Sequence, residues 1–246
     1  MANKLKITFL GTAANGGVPQ ADCRCSQCSG NIVRLRSCLL LQFNNQNWVV
    51  DAGPDFKRQL ESHHLKITDL SGIIISHLHA DHCIGLSELG FGKSHNVPMF
   101  SHPAILKELR NHQMFGFLFN LNFATTPPKP KWLHFCLIPH DPNFTTTAIV
   151  IQFRNRQILI ATDIAKFSQG FIKLVLQSDL VVIDGTFLHQ SMHWHQSIEQ
   201  TCKIVKGFTK KLFFTHINHS ENPQEINSFV SKFNFGLAHD NLTLEI

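Results

Sequence analysis

The chain alternates between short apolar runs and turn-forming residues, and the spacing of the apolar positions changes character along its length. Runs rich in leucine, aromatic and β-branched residues predict strands over 6–10, 37–43, 48–50, 72–76, 98–101, 148–153, 157–161, 180–183 and 212–215. Apolar residues recurring every three to four positions predict helices over 54–63, 103–112, 169–177, 197–208 and 223–233. Strands dominate the first half, and strands alternate with helices in the second. That order predicts a mixed α/β (α+β) chain of two packed sheets with helices on the outside. There is no internal repeat, and the Pro-rich segment 125–132 (TTPPKPKW) reads as a connecting loop. A single domain over 1–246 is expected.

Composition sharpens this only in places. A hydrophobic share of 43% against 16% charged residues fits a compact fold and excludes a disordered chain. The net charge of +5 favours anionic partners. No block of like charges concentrates it, and no basic arm or aromatic–basic platform is visible, so nucleic acid is not expected. The N-terminus runs directly into a strand-like stretch without the apolar segment of a secretory signal. The apolar segment 114–123 (MFGFLFNLNF) is roughly half the length that spans a bilayer. A cytoplasmic protein without a membrane partner is expected, and its seven cysteines then read as thiols or metal ligands rather than disulfides. Sixteen histidines direct the search toward metal.

The first candidate site follows a predicted strand: Ile73-Ile-Ile-Ser-His77-Leu-His79-Ala-Asp81-His82. His77 and His79 leave a strand end on the same side because side chains alternate with period two. If the chain then turns into a helix, Asp81 and His82 swing back over the same point, giving two adjacent metal positions. Three imidazoles and a carboxylate in six residues are costly to bury unless something satisfies them. Nitrogen and oxygen donors of this kind suit zinc, manganese or iron. A second cluster, Cys23-Arg-Cys25-Ser-Gln-Cys28, puts three thiols in a Gly-rich loop around 15–30. Tetrahedral zinc with one position open is the natural reading; free thiols or a redox pair are the alternatives. Cys38, Cys83, Cys136 and Cys202 stand alone and read as small apolar residues.

The segment 76–86 (SHLHADHCIGL) resembles the hallmark motif of the metallo-β-lactamase superfamily. The resemblance implies a four-layer αββα sandwich with two divalent metals (zinc, manganese or iron) at one edge of its sheets. It also implies further ligands after later strands: His140 for the first metal, Asp163 as a bridging carboxylate and His216 for the second metal. Asp51, in Val50-Asp51-Ala-Gly53, matches the superfamily's "DAG" turn. It would orient a ligand histidine or shape the turn, and capping the helix from Pro54 is an equal alternative.

Two branches are similar over nearly the whole chain. The CxCxxC motif with a downstream HxxH is similar to the phosphoribosyl cyclic phosphodiesterases of the carbon–phosphorus lyase pathway. That likeness implies a structural zinc on Cys23, Cys25, Cys28 and His219, and His195 as general acid near a helix start, with His193 competing. The stretches 10–20 (LGTAANGGVPQ), 184–187 (DGTF) and 216–223 (HINHSENP) look most like coenzyme PQQ synthesis protein B. In that family the metal motif is often degenerate, whereas HLHADH is intact here. The resemblance therefore favours a dinuclear phosphodiesterase acting on a small anionic, cyclic or nucleotide-like phosphate, with Asp81 and His195 at the chemistry. Iron-dependent oxidation in quinone cofactor synthesis and a non-catalytic carrier are the alternatives. The segment between Phe91 and Pro128, with its phenylalanines, could form a lid, a homodimer contact or ordinary core.

Overall fold

Most strands are buried on both faces, which is why they read as continuous apolar runs rather than strict alternation. The computed structural model describes residues 4–91, 96–192, 194–208 and 210–246. The first sheet contains β1 (Lys6–Gly11), β2 (Cys38–Phe43), β3 (Gln46–Val50), β4 (Leu70–Ile74), β5 (Val97–Phe100) and β6 (Ala124–Thr125) in sequence order. The second contains β7 (Leu133–Leu137), β8 (Thr147–Phe153), β9 (Arg156–Ala161), β10 (Leu180–Asp184), β11 (Lys211–Thr215) and β12 (Gly236–Leu237). The last strand, β13 (Thr243–Glu245), returns to pair antiparallel with β1. The helices are α1 (Phe56–Ser62), α2 (Ala80–Cys83), α3 (Pro103–Asn111), α4 (Gly116–Asn120), α5 (Gln169–Gln177), α6 (Ile198–Ile204) and α7 (Pro223–Val230).

Period two divides each strand between two cores. Leu39 and Leu41 of β2, Val50 of β3 and Ile74 of β4 meet Ile149, Ile160, Leu180 and Val182 of the second sheet in the layer between the sheets. Their neighbours Leu40, Val49 and Ile73 face outward onto Phe56 of α1, Ile105 of α3 and Leu118 of α4. On the other side Val181, Ile183 and Phe214 face Phe171 of α5, Ile198 of α6 and Ile226 of α7. Helix, sheet, sheet, helix is the αββα sandwich. No helix among the described residues is long and apolar enough to cross a membrane.

The structure departs from expectation in several places. The pattern missed β7 because it is an edge strand whose five residues are buried only at Leu133. The helix expected over 197–208 stops at Ile204 and that expected over 223–233 stops at Val230, the latter continuing as a 3₁₀ turn over Ser231–Phe233. The Phe-rich segment divides its roles. Phe115 and Leu118 are core, while Met114, Phe117 and Leu121 remain exposed.

The sheets bring their carboxyl ends to one edge. Strands β3, β4 and β5 run parallel, as do β9, β10 and β11; β7 shares the latter direction because it and β9 are both antiparallel to β8. Loops leaving carboxyl ends of parallel strands are where open α/β sheets place their sites.

Candidate metal centre

The chain leaves β3 at Asp51, whose φ of +64° turns the backbone sharply. Its buried carboxylate accepts from Ser76 N (2.8 Å) and Ser76 Oγ (2.9 Å), and lies 2.8 Å from His82 Nδ1. All of this capacity is spent on the metal loop. The N-cap of α1 is Asp55, so the helix-capping alternative for Asp51 is set aside. Gly53 and Gly85 let the Asp51 turn and α2 meet backbone to backbone. A Cβ on Gly53 would fall 2.0 Å from the Asp81 carbonyl oxygen, and one on Gly85 would fall 2.2 Å from the Gly53 carbonyl oxygen. The hydrogen bond from Ala52 N to the His82 carbonyl (2.7 Å) closes the joint. A helix of only four residues is thereby held in place.

The structure brings all seven expected ligands together. His77 Nε2 lies 3.0 Å from His79 Nδ1, which lies 3.3 Å from His140 Nε2. His82 Nε2 lies 3.3 Å from His216 Nε2, and Asp81 Oδ2 is 3.2 Å from both. Asp163 lies between the two triads. Its Oδ1 is 3.7 Å from His140 Nε2 and 3.6 Å from His216 Nε2, and its Oδ2 is 3.2 Å from His82 Nε2. Although that last separation is short, Oδ2 is buried and receives no donor in hydrogen-bonding geometry.

The outer nitrogen of each imidazole settles its tautomer. His140 Nδ1 must donate to the Trp194 carbonyl (2.6 Å), and His79 Nε2 faces the Asp141 carboxylate (3.1 Å). His82 Nδ1 faces Asp51. Ser76 Oγ gives its proton to Asp51 and so accepts from His77 Nδ1; Thr186 Oγ1 gives its proton to Asp184 (2.6 Å) and so accepts from His216 Nδ1 (3.0 Å). Each imidazole can therefore turn a lone pair inward from its inner nitrogen. Five lone pairs and two carboxylates converging in a buried site call for positive charge, and divalent metals fit this donor set. Burial works against charge on both His77 and His82; it pushes the His77 imidazole down, but Asp81, Asp163 and Asp51 outweigh it at His82 and raise that imidazole well above its usual value. Burial works to raise the Asp163 pKa, but His216, His82 and their neighbours outweigh it and hold the carboxyl well below the usual range.

His195 stands beside the centre, on the short turn before α6. Its Nδ1 lies 2.8 Å from Asp184 Oδ2, and Asp184 is wholly buried at the end of β10. Burial alone would lower the imidazole pKa, but the Asp184 carboxylate and its hydrogen bond overcome this and raise it to about 9. The competing His193 lies outside the described residues. Asp184 also accepts from Ile164 N (3.0 Å) and Thr186 N (2.9 Å), making it a hub that joins the Asp163 loop, His195 and His216. Sequence reasoning gave no role to Asp184, Thr186 or Asp141. Asp141 had a visible signal, a carboxylate directly after a candidate ligand, whereas Thr186 acts only through the fold.

The cysteine cluster also assembles. One donor atom from each of Cys23, Cys25, Cys28 and His219 lies within 4.8 Å of the others. His219 Nδ1 is 3.7 Å from Cys25 Sγ and 3.6 Å from Cys28 Sγ, and its hydrogen bond lowers the Cys25 thiol to about 6. Cys38, Cys83 and Cys202 are buried in apolar cores, and burial pushes Cys83 and Cys202 up to about 12.

Above the centre opens a cleft of about 540 Å³, floored by His79, Asp81, Asp163, His195 and His216. Arg36, Asn15 and Pro54 line part of its wall, and Phe187, Met192 and Trp194 another part.

An αββα sandwich with this histidine–aspartate cluster at its sheet edge defines the metallo-β-lactamase fold. The chain belongs to the beta-lactamase superfamily, whose domain model matches residues 46–217. That stretch contains all seven clustered histidines and aspartates, while the four-residue cysteine–histidine group lies outside it. Coenzyme PQQ synthesis protein B of Acinetobacter baumannii (strain SDF) is 28% identical over 229 residues, covering 74% of this chain and 73% of the relative. Zn²⁺-bound PqqB from Methylobacterium extorquens has a similar structure, with a TM-score of 0.85 at 20% identity over 98% of this chain and 100% of that one. A diphosphatase of the PhnP family matches with a TM-score of 0.80 at 21% identity, over 99% and 97% of the two chains.

Proposed function

We propose that the protein is a cytoplasmic two-metal hydrolase of small phosphodiesters. The observation that carries this reading is the pair of lone-pair triads meeting at Asp163, beside a histidine held in its acid form. His77, His79, His140 and Asp163 would hold one divalent ion, and Asp81, His82, His216 and the same Asp163 the other. When bound, such a pair supplies Lewis-acid polarisation of the ester oxygens and acidifies the attacking water. Asp51, Asp141 and Thr186 keep the ligand imidazoles in one tautomer and orientation. His195 is placed to give its proton to the leaving alkoxide, and the buried Asp184 keeps that proton available at neutral pH. Cys23, Cys25, Cys28 and His219 would hold a structural zinc, and all seven cysteines are free, as suits a reducing compartment. The diphosphatase likeness is in keeping with phosphate chemistry.

A second reading, an oxidative step in quinone cofactor synthesis, is favoured by the name of the matched relatives and by a donor set that also accommodates iron. Protein loaded with Zn²⁺, Mn²⁺ or Fe²⁺ and offered bis-(p-nitrophenyl) phosphate, a cyclic phosphate and a thioester distinguishes the two. Phosphodiester turnover with three metals per chain, two of them lost in His77→Ala/His79→Ala, is the expected result. Iron as the sole active metal with no phosphodiester turnover would overturn it.

A further inference from the structure

Trp194 combines a fixed backbone with an unused side chain. Its carbonyl accepts the His140 Nδ1–H at 2.6 Å, so its main chain is bolted to a residue of the metal centre. The turn around it is closed in both directions, Met192 N to the His195 carbonyl and His195 N to the Met192 carbonyl, each at 3.2 Å. Gln196 N then ties the exit to the Ile164 carbonyl at 2.8 Å, beside Asp163.

On this turn Trp194 is 46% exposed, at the wall of the metal cleft. Among the described residues it has no ring partner and its Nε1–H no acceptor. Trp132, by contrast, packs edge-on against Phe43 and Trp48. Beside Trp194 in the wall stands Met192, 52% exposed, whose polarisable thioether suits a ring edge. A large aromatic surface left in water on a turn that does not need it for folding is a binding face.

We infer that Trp194, with Met192, forms a stacking subsite for a planar aromatic ring carried by the substrate's phosphate ester. The subsite rests on the phosphoester reading above for the position of the phosphate, which would lie over Asp81, Asp163 and His216 at the cleft floor. The shared chemistry is an anionic ester bearing a planar ring, whether a nucleobase or a simple arene. Stacking of a base on an aromatic side chain contributes about 1–3 kcal/mol, a preference of roughly 5- to 150-fold over a ring-free analogue.

Equilibrium binding to the metal-loaded protein tests this without turnover. The probes are adenosine 5′-monophosphate, phenyl phosphate and ribose 5-phosphate, the last lacking any ring. A preference of at least fivefold for a ring-bearing probe is expected. The adenosine and phenyl arms decide between a base and a simple arene. Trp194→Phe should retain most of the preference and Trp194→Ala should reduce it to within about twofold, while the His140 contact survives because it is made by the main chain. Equal binding of all three probes, or an undiminished preference in Trp194→Ala, would overturn the inference. Ring preference in binding combined with no hydrolysis of any phosphodiester would instead overturn the phosphodiesterase reading and leave the ring subsite standing.

Discussion

Asp51 and Asp184 join Asp141 as carboxylates through which the centre is oriented, and none of the three belongs to the seven candidate ligands. Asp51 fixes His82 directly and His77 through Ser76. Asp51→Ala is therefore expected to weaken metal affinity by about 10- to 100-fold, measured by competition with a chelating dye. Asp184 acts on the proton of His195. Because the folded imidazole is raised from 6.5 to about 9, its charged form, and the stability that form contributes, is fully present below 6.5 and lost as pH rises through about 9. Removing the Asp184 carboxylate takes away the largest effect opposing burial and leaves Asp163 and Asp81 to act against it. The alkaline limb of the kcat/KM profile should thus move to lower pH in Asp184→Asn, whereas a purely structural role would lower kcat/KM without moving the limb.

At the scale of elements, the decisive contact is between the Asp51 turn and α2. Four residues cannot sustain a helix alone, so α2 depends on the Ala52–His82 hydrogen bond and on the absence of side chains at Gly53 and Gly85. Gly53→Ala would drive its methyl into the Asp81 carbonyl. Loss of metal from the Asp81–His82–His216 set, with the cysteine site still loaded, is the expected outcome, read by metal content per chain. The segment His216–His219 makes a second joint. Its ends enter different sites, and between them Ile217 exchanges backbone hydrogen bonds with Thr12 (2.8 Å) and Ala14 (3.0 Å). The 12–36 loop is thereby tied to both, and Cys25→Ser with Cys28→Ser should loosen the Arg36 and Asn15 wall, raising KM more than it lowers kcat.

For the molecule as a whole, metal binding should be linked to folding, because each triad draws on both sheets. His77, His79, Asp81 and His82 hang from the first, and His140, Asp163 and His216 from the second. An ion held between them staples the sandwich at its open edge. Any ligand of the native state stabilises it by mass action, by about 2.7 kcal/mol at a hundredfold excess over its Kd. Chelation should therefore lower Tm by several degrees, with the transition restored by Zn²⁺. An unchanged Tm on chelation would deny the link.

What the amino-acid order determined by itself was local. The strand before His77, the period-two pairing of His77 with His79, and the grouping of three cysteines were legible because each depends on neighbours a few residues apart. The long buried strands and the helices α1, α3, α5, α6 and α7 were legible too, since strands buried on two faces must be apolar throughout, whereas the edge strand β7, the short β6, β12 and β13, and α4 were not. Resemblance, rather than periodicity, pointed to His140, Asp163, His216 and His219. Only the tertiary structure decided what depends on distant chain segments meeting. Asp51 became an orienting group rather than a helix cap because Ser76 and His82 arrive beside it. Thr186 and Asp184 acquired roles because β10 ends between the Asp163 and His216 loops. Trp194 became a candidate binding face because folding bolts its backbone to His140 and leaves its ring in the cleft. An isolated strand cannot express such facts, because tautomer, burial and convergence are properties of pairs brought together by the sheets.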